Sequence, residues 1–322
     1  MDEYKLLRAT QLQINQKRII IWRFVDGKPG HEKQSLGLVN ALSKISKVNS
    51  QKIKCANLNF RNFYEILRKL VFSPDKIEYP DLLIGAGHRT HFPILILNKF
   101  FGGKSVILMK PSLPCSWFNL CIIPKHDNLT PTKNIILTDG VLNAIDPSTI
   151  DATQKDGGIF LIGGESKHFS WSTENIIEQI KKIIVASGSK SWSLTTSRRT
   201  PKDFLEKLKS QNFPNIKIIE YSKTKPGWVE QTLIKKEYAW ITEDSFSMIY
   251  ESLTAQCKVG VINLKKLGKE SKAEKSIKSL LKRKIITKYD DFQKNNKAQI
   301  ENPPRNQALY CAEYVKNNLL VL

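Results

Sequence analysis

Along this chain a short apolar run gives way to a turn rich in glycine or proline. Apolar positions at helical spacing then follow the turn, and the sequence repeats this order. Residues 19–25 are the first run, mostly apolar and β-branched as a buried strand is. Asp26-Gly27-Lys28-Pro29-Gly30-His31-Glu32 reads as a tight turn, and Leu36, Val39 and Leu42 predict one helical face. Strand, glycine turn and helix open a doubly wound α/β unit. The turn lies at the carboxyl edge of the sheet, where ligands bind, beside a helix N-terminus that attracts anions. The turn alone is equally compatible with a structural β–α corner.

The same order continues. Residues 53–58 suit a second strand. Residues 60–72 predict an amphipathic helix with Phe60, Phe63, Tyr64, Leu67, Leu70 and Val71 on one side, facing a core or a membrane. Residues 79–90 repeat strand then glycine, through Gly85, Gly87, His88, Arg89 and Thr90, and a helix follows over 94–100. Strands are expected at 105–109, at 118–123 before Pro124-Lys125-His126-Asp127, and at 134–137. This alternation predicts one parallel sheet. Residues 146–155 are polar and turn-rich, as a linker is, and the pattern then restarts. Strands are expected at 158–162, 192–195, 216–220, 238–241 and 259–264, with helices at 175–186, 204–208 and 248–253. The fold class expected is α/β, with two Rossmann-like domains whose parallel sheets face across a cleft. The domains expected are a polar leader over 1–17, an acceptor domain over 18–150 and a nucleotide-sugar domain over 151–305. A last helix over 306–322 is expected to pack back on the first domain. The lysine-rich stretch 265–297, with Leu280, Leu281, Ile285 and Ile286 interspersed, reads as a tail.

Composition narrows the classes. With 322 residues and 41% hydrophobic content the chain can build two cores, which excludes wholesale disorder. No apolar run reaches the length of a membrane span, and the first residues lack the apolar core of a signal peptide. Five cysteines without a Cys-x-x-Cys pair argue against a disulfide framework or a cysteine zinc site, so a reduced, cytoplasmic setting is expected. The net charge of +21 fits nucleic acid, an anionic membrane surface or a phosphorylated substrate, or is scattered lysine alone. The basic stretch 265–288 and the helix at 60–72 are the expected membrane contacts.

The chemistry concentrates in the turns after strands. All five histidines, His31, His88, His91, His126 and His168, follow predicted strands, and histidine can move a proton near neutral pH. His88 and His91 could also ligate a metal, but no third ligand has telling spacing. Gly163-Gly164 with Glu165, Ser166 and Lys167 offers backbone N–H groups, a hydroxyl and an ammonium; Ser197, Arg198 and Arg199 add guanidiniums. Both loops suit a diphosphate, because arginine forks match phosphate oxygens. Neither is a Walker A loop, and the first turn lacks Gly-x-Gly-x-x-Gly. In the stretch from Thr242 through Glu243, Asp244, Ser245, Ser247 and Met248 to Glu251, the serines sit at a helix start. Glu251 lies one turn along from Ser247, where a carboxylate can accept both hydroxyls of a ribose. No Asp-x-Asp pair is present, so phosphate charge is expected to meet arginine, lysine and helix N-termini rather than a metal.

Six motifs together carry a resemblance. They are Asp-Gly-Lys-Pro-Gly-His-Glu-x-Gln-Ser-x-Gly-Leu from Asp26, Ala-Gly-x-x-Thr from Ala86 and Pro-x-His-Asp from Pro124. The others are Gly-Gly-x-Ser-Lys from Gly163, Thr-Ser-Arg-Arg-Thr-Pro from Thr196 and Thr-Glu-Asp-Ser-x-Ser-Met-x-x-Glu from Thr242. This set resembles the family of the plant mitochondrial fission protein of ELM type and its bacterial relatives, grouped with glycosyltransferases. That family is in turn similar to GT-B glycosyltransferases, notably the lipid-linked N-acetylglucosamine transferase of peptidoglycan synthesis. The resemblance implies a metal-independent, cofactor-free glycosyltransferase. It would move a sugar from a nucleotide-sugar donor to a lipid-linked or glycan acceptor at the cytoplasmic face of the inner membrane, with no nucleic-acid partner.

By that likeness the donor residues are Gly163, Gly164, Ser166, Lys167, Ser197, Arg198, Arg199, Glu243, Asp244, Ser245, Ser247, Met248 and Glu251. The catalytic set is His31, Asp26, His126 and Asp127. The acceptor side holds Gly27, Lys28, Gly30, Gln34, Gly87, His88, Arg89 and Thr90. Two departures fall at Gln256-Cys257-Lys258-Val259, where Gly-Lys-Pro-Val is expected, and at His88, where an arginine is expected. A non-catalytic, membrane-associated adaptor and a nucleotide-sugar epimerase are the alternatives.

Overall fold

The computed structural model describes residues 18–55, 78–268, 271–295 and 306–320. The expected leader at 1–17 and the expected helix at 60–72 lie outside them. The chain divides into two units: Met1–Ala144 with Gln307–Leu322, and Ile145–Asn306.

The first unit runs β1 (Ile19–Val25), α1 (Pro29–Ile45), β2 (Val48–Lys54), β3 (Leu82–Ala86), α2 (His91–Phe101), β4 (Lys104–Leu108), β5 (Leu120–Pro124) and β6 (Ile135–Thr138). Its six strands form one parallel sheet in the order β2-β1-β3-β4-β5-β6. Strand side chains alternate between faces. Ile21, Leu82 and Ile84 therefore pack with Leu38 and Leu42 of α1 on one face. Trp22, Leu83 and Ile107 pack with Ile94 and Leu97 of α2 on the other. Two predictions need correcting. Leu36 is exposed, and α1 turns Leu38, Val39, Ala41 and Leu42 inward instead. The second strand spans Val48–Lys54 rather than 53–58; as the edge strand its side chains are largely open, so it carries little apolar signal.

The second unit holds β7 (Gly158–Leu161), β8 (Phe169–Ser170), α3 (Thr173–Ala186), β9 (Trp192–Thr195), α4 (Lys202–Ser210), β10 (Ile216–Ile219) and α5 (Trp228–Leu233). It continues with β11 (Tyr238–Thr242), α6 (Phe246–Thr254), β12 (Lys258–Ile262), β13 (Lys265–Lys266), α7 (Lys272–Lys282), β14 (Thr287–Lys288) and α8 (Tyr289–Asn295). Its parallel sheet has the order β10-β9-β7-β11-β12-β14. Between the sheets, residues 146–155 form two single 3-10 turns, each started by an aspartate; Ser148 N–H donates to Asp146 (2.9 Å) and Thr153 N–H to Asp151 (3.0 Å). The lysine-rich stretch is not a tail. Ile277, Leu280, Ile285, Ile286, Tyr289 and Phe292 are buried, and β14 completes the sheet. The apolar residues expected to meet lipid are thus mostly spent on the core. A small antiparallel ribbon, β8 with β13, joins the loop after β7 to the chain after β12. The last helix, α9 (Gln307–Leu319), belongs to the first unit and packs on α1.

The fold class is therefore α/β, with two Rossmann-like parallel sheets as the sequence predicts. In each sheet the first strand is flanked by its successor on one side and a later strand on the other. These reversals lie between β1 and β3 and between β7 and β11. At such a point the loops diverge and leave a crevice at the carboxyl edge.

Candidate functional site

In the first unit the loops after β1 and β3 meet at the reversal. Asp26, at the end of β1, is buried. His31, in the first turn of α1, places Nδ1 2.8 Å from Asp26 Oδ2. The Lys28 N–H donates to the other carboxylate oxygen at 3.1 Å. Burial pushes the Asp26 carboxyl up, but the hydrogen bonds from His31 and Lys28, with their charges, outweigh it and hold the group below its usual pKa. An ionised carboxylate only accepts, so Nδ1 carries a proton, and in the neutral imidazole Nε2 is then the nitrogen with the free lone pair. Nε2 has no partner among the described residues. Gly87 makes this possible: at φ +90° it is open to glycine alone, and a Cβ there would overlap the His31 ring and the Asp26 carboxylate. The pair has the form of an oriented general base.

The other predicted residues of this unit separate into groups. Thr90 is buried and donates to the Gly87 carbonyl (2.8 Å), fixing that loop; His88 and Arg89 beside it are exposed. Gln34 is buried, with Nε2 3.3 Å from Met109 Sδ. Lys28 is exposed at the start of α1, Gly27 turns at φ +81°, and Gly30 faces open space. His126 and Asp127 are half-buried in a 3-10 turn after β5. Three strand spacings separate β5 from β1, about 14 Å, so the predicted catalytic set is not one cluster. His91 is a buried residue of α2, with Nδ1 3.2 Å from the Ser112 hydroxyl; burial, helped by nearby His88, lowers its pKa to about 4. Among the described residues no group of three His, Cys, Asp or Glu is placed to hold a metal ion.

In the second unit the loops after β7, β9 and β11 brace one another. Gly163 N–H donates to Thr242 Oγ1 (2.8 Å) and Gly164 N–H to Asp244 Oδ2 (3.1 Å). Ser197 Oγ donates to the Gly163 carbonyl (2.8 Å), and Thr200 Oγ1 hydrogen-bonds the same oxygen. Arg199 donates through Nη1 to the carbonyls of Gly164 (3.2 Å) and Glu165 (3.1 Å), and through Nη2 to Asp244 Oδ2 at 2.6 Å. Ser245 Oγ also donates to Asp244 Oδ2, at 3.2 Å. The Asp244 side chain is wholly buried. Side chains at Gly163 or Gly164 would overlap Asp244 or the Arg199 backbone, so only glycine permits this closeness.

This geometry corrects several expectations. The N–H groups of Gly163 and Gly164 are already bonded, so they are not the phosphate donors. Arg199 holds the loops together, with its side chain still 46% exposed. Ser245 makes no side-chain cap of α6. Glu251 is buried on α6, so its loss bears on the fold as well as on any ligand. Glu243 is buried too and accepts the Leu264 N–H at 2.9 Å. Met248 is half-buried, and Ser166 Oγ accepts the His168 and Phe169 N–H groups (3.3 and 3.2 Å). Arg198, Lys167 and Ser247 are exposed, and no described residue partners them. They form a cationic and hydroxyl rim around the braced loop, the chemistry an oxyanion needs. Sequence reasoning missed the bracing roles of Thr200 and Thr242, although both threonines stand inside the motifs.

The sequence model of the family described as Mitochondrial fission ELM1 matches residues 29–319. Protein RP120 of Rickettsia prowazekii (strain Madrid E) is 25% identical over 286 residues, covering 73% of this chain and 80% of that protein. Among solved structures, UDP-GlcNAc 2-epimerase of Methanocaldococcus jannaschii is similar with a TM-score of 0.59 at 12% identity, over 94% of this chain and 100% of that one. That enzyme in complex with UDP-GlcNAc and UDP is similar with a TM-score of 0.50, at the same identity and coverage. MurG of Acinetobacter baumannii is similar with a TM-score of 0.52 at 9% identity, over 93% and 99% of the two chains. These likenesses show a GT-B-like fold.

Proposed function

The chain belongs to the Mitochondrial fission ELM1 family, and on that footing we propose that it takes a nucleotide sugar as donor and passes the sugar to a membrane-associated or cell-envelope glycan acceptor. The observation that carries this reading is the braced loop of the second unit, which leaves Arg198, Lys167 and Ser247 outward beside the start of α6. A diphosphate needs cations and hydrogen-bond donors, and these groups supply them. Glu251, one turn into α6 from Ser247, accepts the ribose hydroxyls. In the first unit His31 Nε2 takes the proton of the acceptor hydroxyl while Asp26 holds the ring in the needed tautomer. The hydroxyl oxygen bonds to the anomeric carbon, and the diphosphate leaves with the electrons of the broken C–O bond. The donor's own leaving group does this chemistry, so the reading needs no cofactor. No helix among the described residues is long and apolar enough to cross a membrane, and the proposed place of work is peripheral, on the cytoplasmic face of the inner membrane.

Calorimetry with UDP tests the donor half. Arg198→Ala should weaken UDP by about ten- to a hundredfold, the equivalent of ~1.5–3 kcal/mol of charge-assisted bonding. Glu251→Gln keeps the buried shape and should weaken UDP in the same direction, with a thermal melt run alongside because Glu251 is buried. Parent-like affinity in both variants removes the donor site from this loop. A membrane-associated adaptor without catalysis is the second reading, favoured by the exposure of Phe92, Phe100 and Trp117 on the first unit. Incubation with UDP-GlcNAc and no acceptor separates a third outcome, since an epimerase would turn over under those conditions.

A further inference from the structure

The second unit holds a cavity of about 190 Å³ that none of the motifs explains. It is lined by Phe169 of β8, Lys266 of β13, Glu243 after β11, Glu274, Ile277, Lys278 and Leu281 of α7, and Lys288 of β14. Glu243 is the neighbour of Asp244, so the cavity begins one residue, about 3.8 Å of backbone, from the braced loop. The loop after β7 also runs directly into its Phe169 wall through the β8–β13 ribbon. This is space on the scale of one monosaccharide ring.

The lining selects a chemical class. Glu274 is buried; its Oε2 accepts the Ser271 N–H (2.7 Å) and its Oε1 lies 2.9 Å from Lys266 Nζ. Glu243 spends Oε2 on the Leu264 N–H, while among the described residues Oε1 faces Lys288 Nζ at 3.9 Å, beyond hydrogen-bond length. The cavity thus offers carboxylate acceptors and ammonium donors above an apolar floor of Phe169, Ile277 and Leu281. An anion would meet two buried carboxylates, and a cation would meet three lysines. An apolar molecule would strip water from five charges and return nothing. Neutral hydroxyls both donate and accept, so they satisfy both kinds of group at once.

We infer that this cavity is a recognition pocket for a neutral, hydroxyl-rich sugar ring, the one carried by the nucleotide donor. The inference rests on the nucleotide-sugar reading given above. The test is calorimetry of the full chain with UDP, UDP-GlcNAc and UDP-glucuronic acid. The parent should bind UDP-GlcNAc about tenfold more tightly than UDP, and UDP-glucuronic acid no better than UDP. Lys278→Met and Lys288→Met should each erase the gain from the neutral sugar and move UDP itself less than twofold. Lys278 is exposed, so that variant decides the matter should Lys288→Met fail to fold. If UDP binds but the neutral sugar adds nothing, or if both variants keep the gain, the cavity assignment falls and the donor reading stands. Preference for the charged sugar overturns the neutral class. If the parent does not bind UDP at all, the donor reading and this inference fall together.

Discussion

His91 moves from proton chemistry to stability once its surroundings are seen. Its folded pKa is about 4 against an ordinary 6.5, because it is buried behind Ser112 and Phe118 with His88 near. Above pH 6.5 the residue is neutral whether folded or unfolded, and it contributes no pH dependence. Between 6.5 and 4 the unfolded chain binds the proton and the folded chain refuses it. Stability is therefore full above about pH 6.5 and falls as pH drops toward 4, by up to ~3 kcal/mol. Urea midpoints at pH 7 and 4.5 check this: His91→Gln should flatten the fall, and an unchanged fall would assign it to other groups. The sequence placed His91 at a strand end because α2 was expected to begin at residue 94. The helix begins at His91 itself, which turns the ring inward. Asp26 and His31 were named together from the motif after β1, but their contact was not legible there, because it depends on Gly87, which comes after β3. Arg198 and Arg199 were not separable in sequence. They are adjacent and alike, and only Asp244, 45 residues on in the chain, tells which one turns in.

At the scale of elements, strands buried on both faces announced themselves as unbroken apolar runs. Leu82–Ala86 and Leu120–Pro124 are wholly buried; the first lies inside the 79–90 stretch expected to hold strand then glycine, and the second within two residues of the strand expected at 118–123. β2 and β14 are edge strands with one neighbour each, and β14 has two residues, so neither carried a period to read. α7 was hidden by its lysines, although Ser271-x-x-Glu274 is a capping box and the structure makes both of its hydrogen bonds. Its Ile277 and Leu280 face the core. Leu280→Ala should accordingly cost about 2–4 kcal/mol of stability and leave sedimentation with anionic vesicles unchanged. The aromatic residues of α2 present the opposite case. Phe92 and Phe100 are each 62% exposed, with Lys99 between them also open. Phe92→Ser with Phe100→Ser should lower vesicle recovery at low salt and leave the melting temperature within a degree or two, since such surface changes stay within roughly 0.5 kcal/mol. The reverse pattern, lipid binding lost with Leu280 and kept without the phenylalanines, would return the membrane contact to the lysine-rich stretch.

Across the whole molecule the two sheets are both parallel and six-stranded, and the repeated strand–glycine–helix pattern made that legible, but their orders differ: counted along the chain they run 2-1-3-4-5-6 in the first and 3-2-1-4-5-6 in the second. The last helix was expected to return to the first domain, and α9 does belong to that unit; its own residues did not tell that its partner is α1, which lies more than 250 residues earlier in the chain. Cys311, Ala312 and Val315 are fully buried with Leu38 and Leu42 in one core, and Lys316 Nζ donates to the Ile45 carbonyl at the end of α1 (2.7 Å). The first unit is thus completed by the last helix of the second unit's successor segment, which has a consequence for birth on the ribosome. Ile145–Asn306 is continuous and can finish folding as it emerges. The unit that leaves the ribosome first must wait for α9, about 10–30 s at roughly 5–20 residues per second. Through that interval the flank of α1 stays uncovered and open to chaperones. Limited proteolysis of a free chain truncated after residue 306 and of the full chain should show the second unit protected in both, and the first unit protected only when α9 is present.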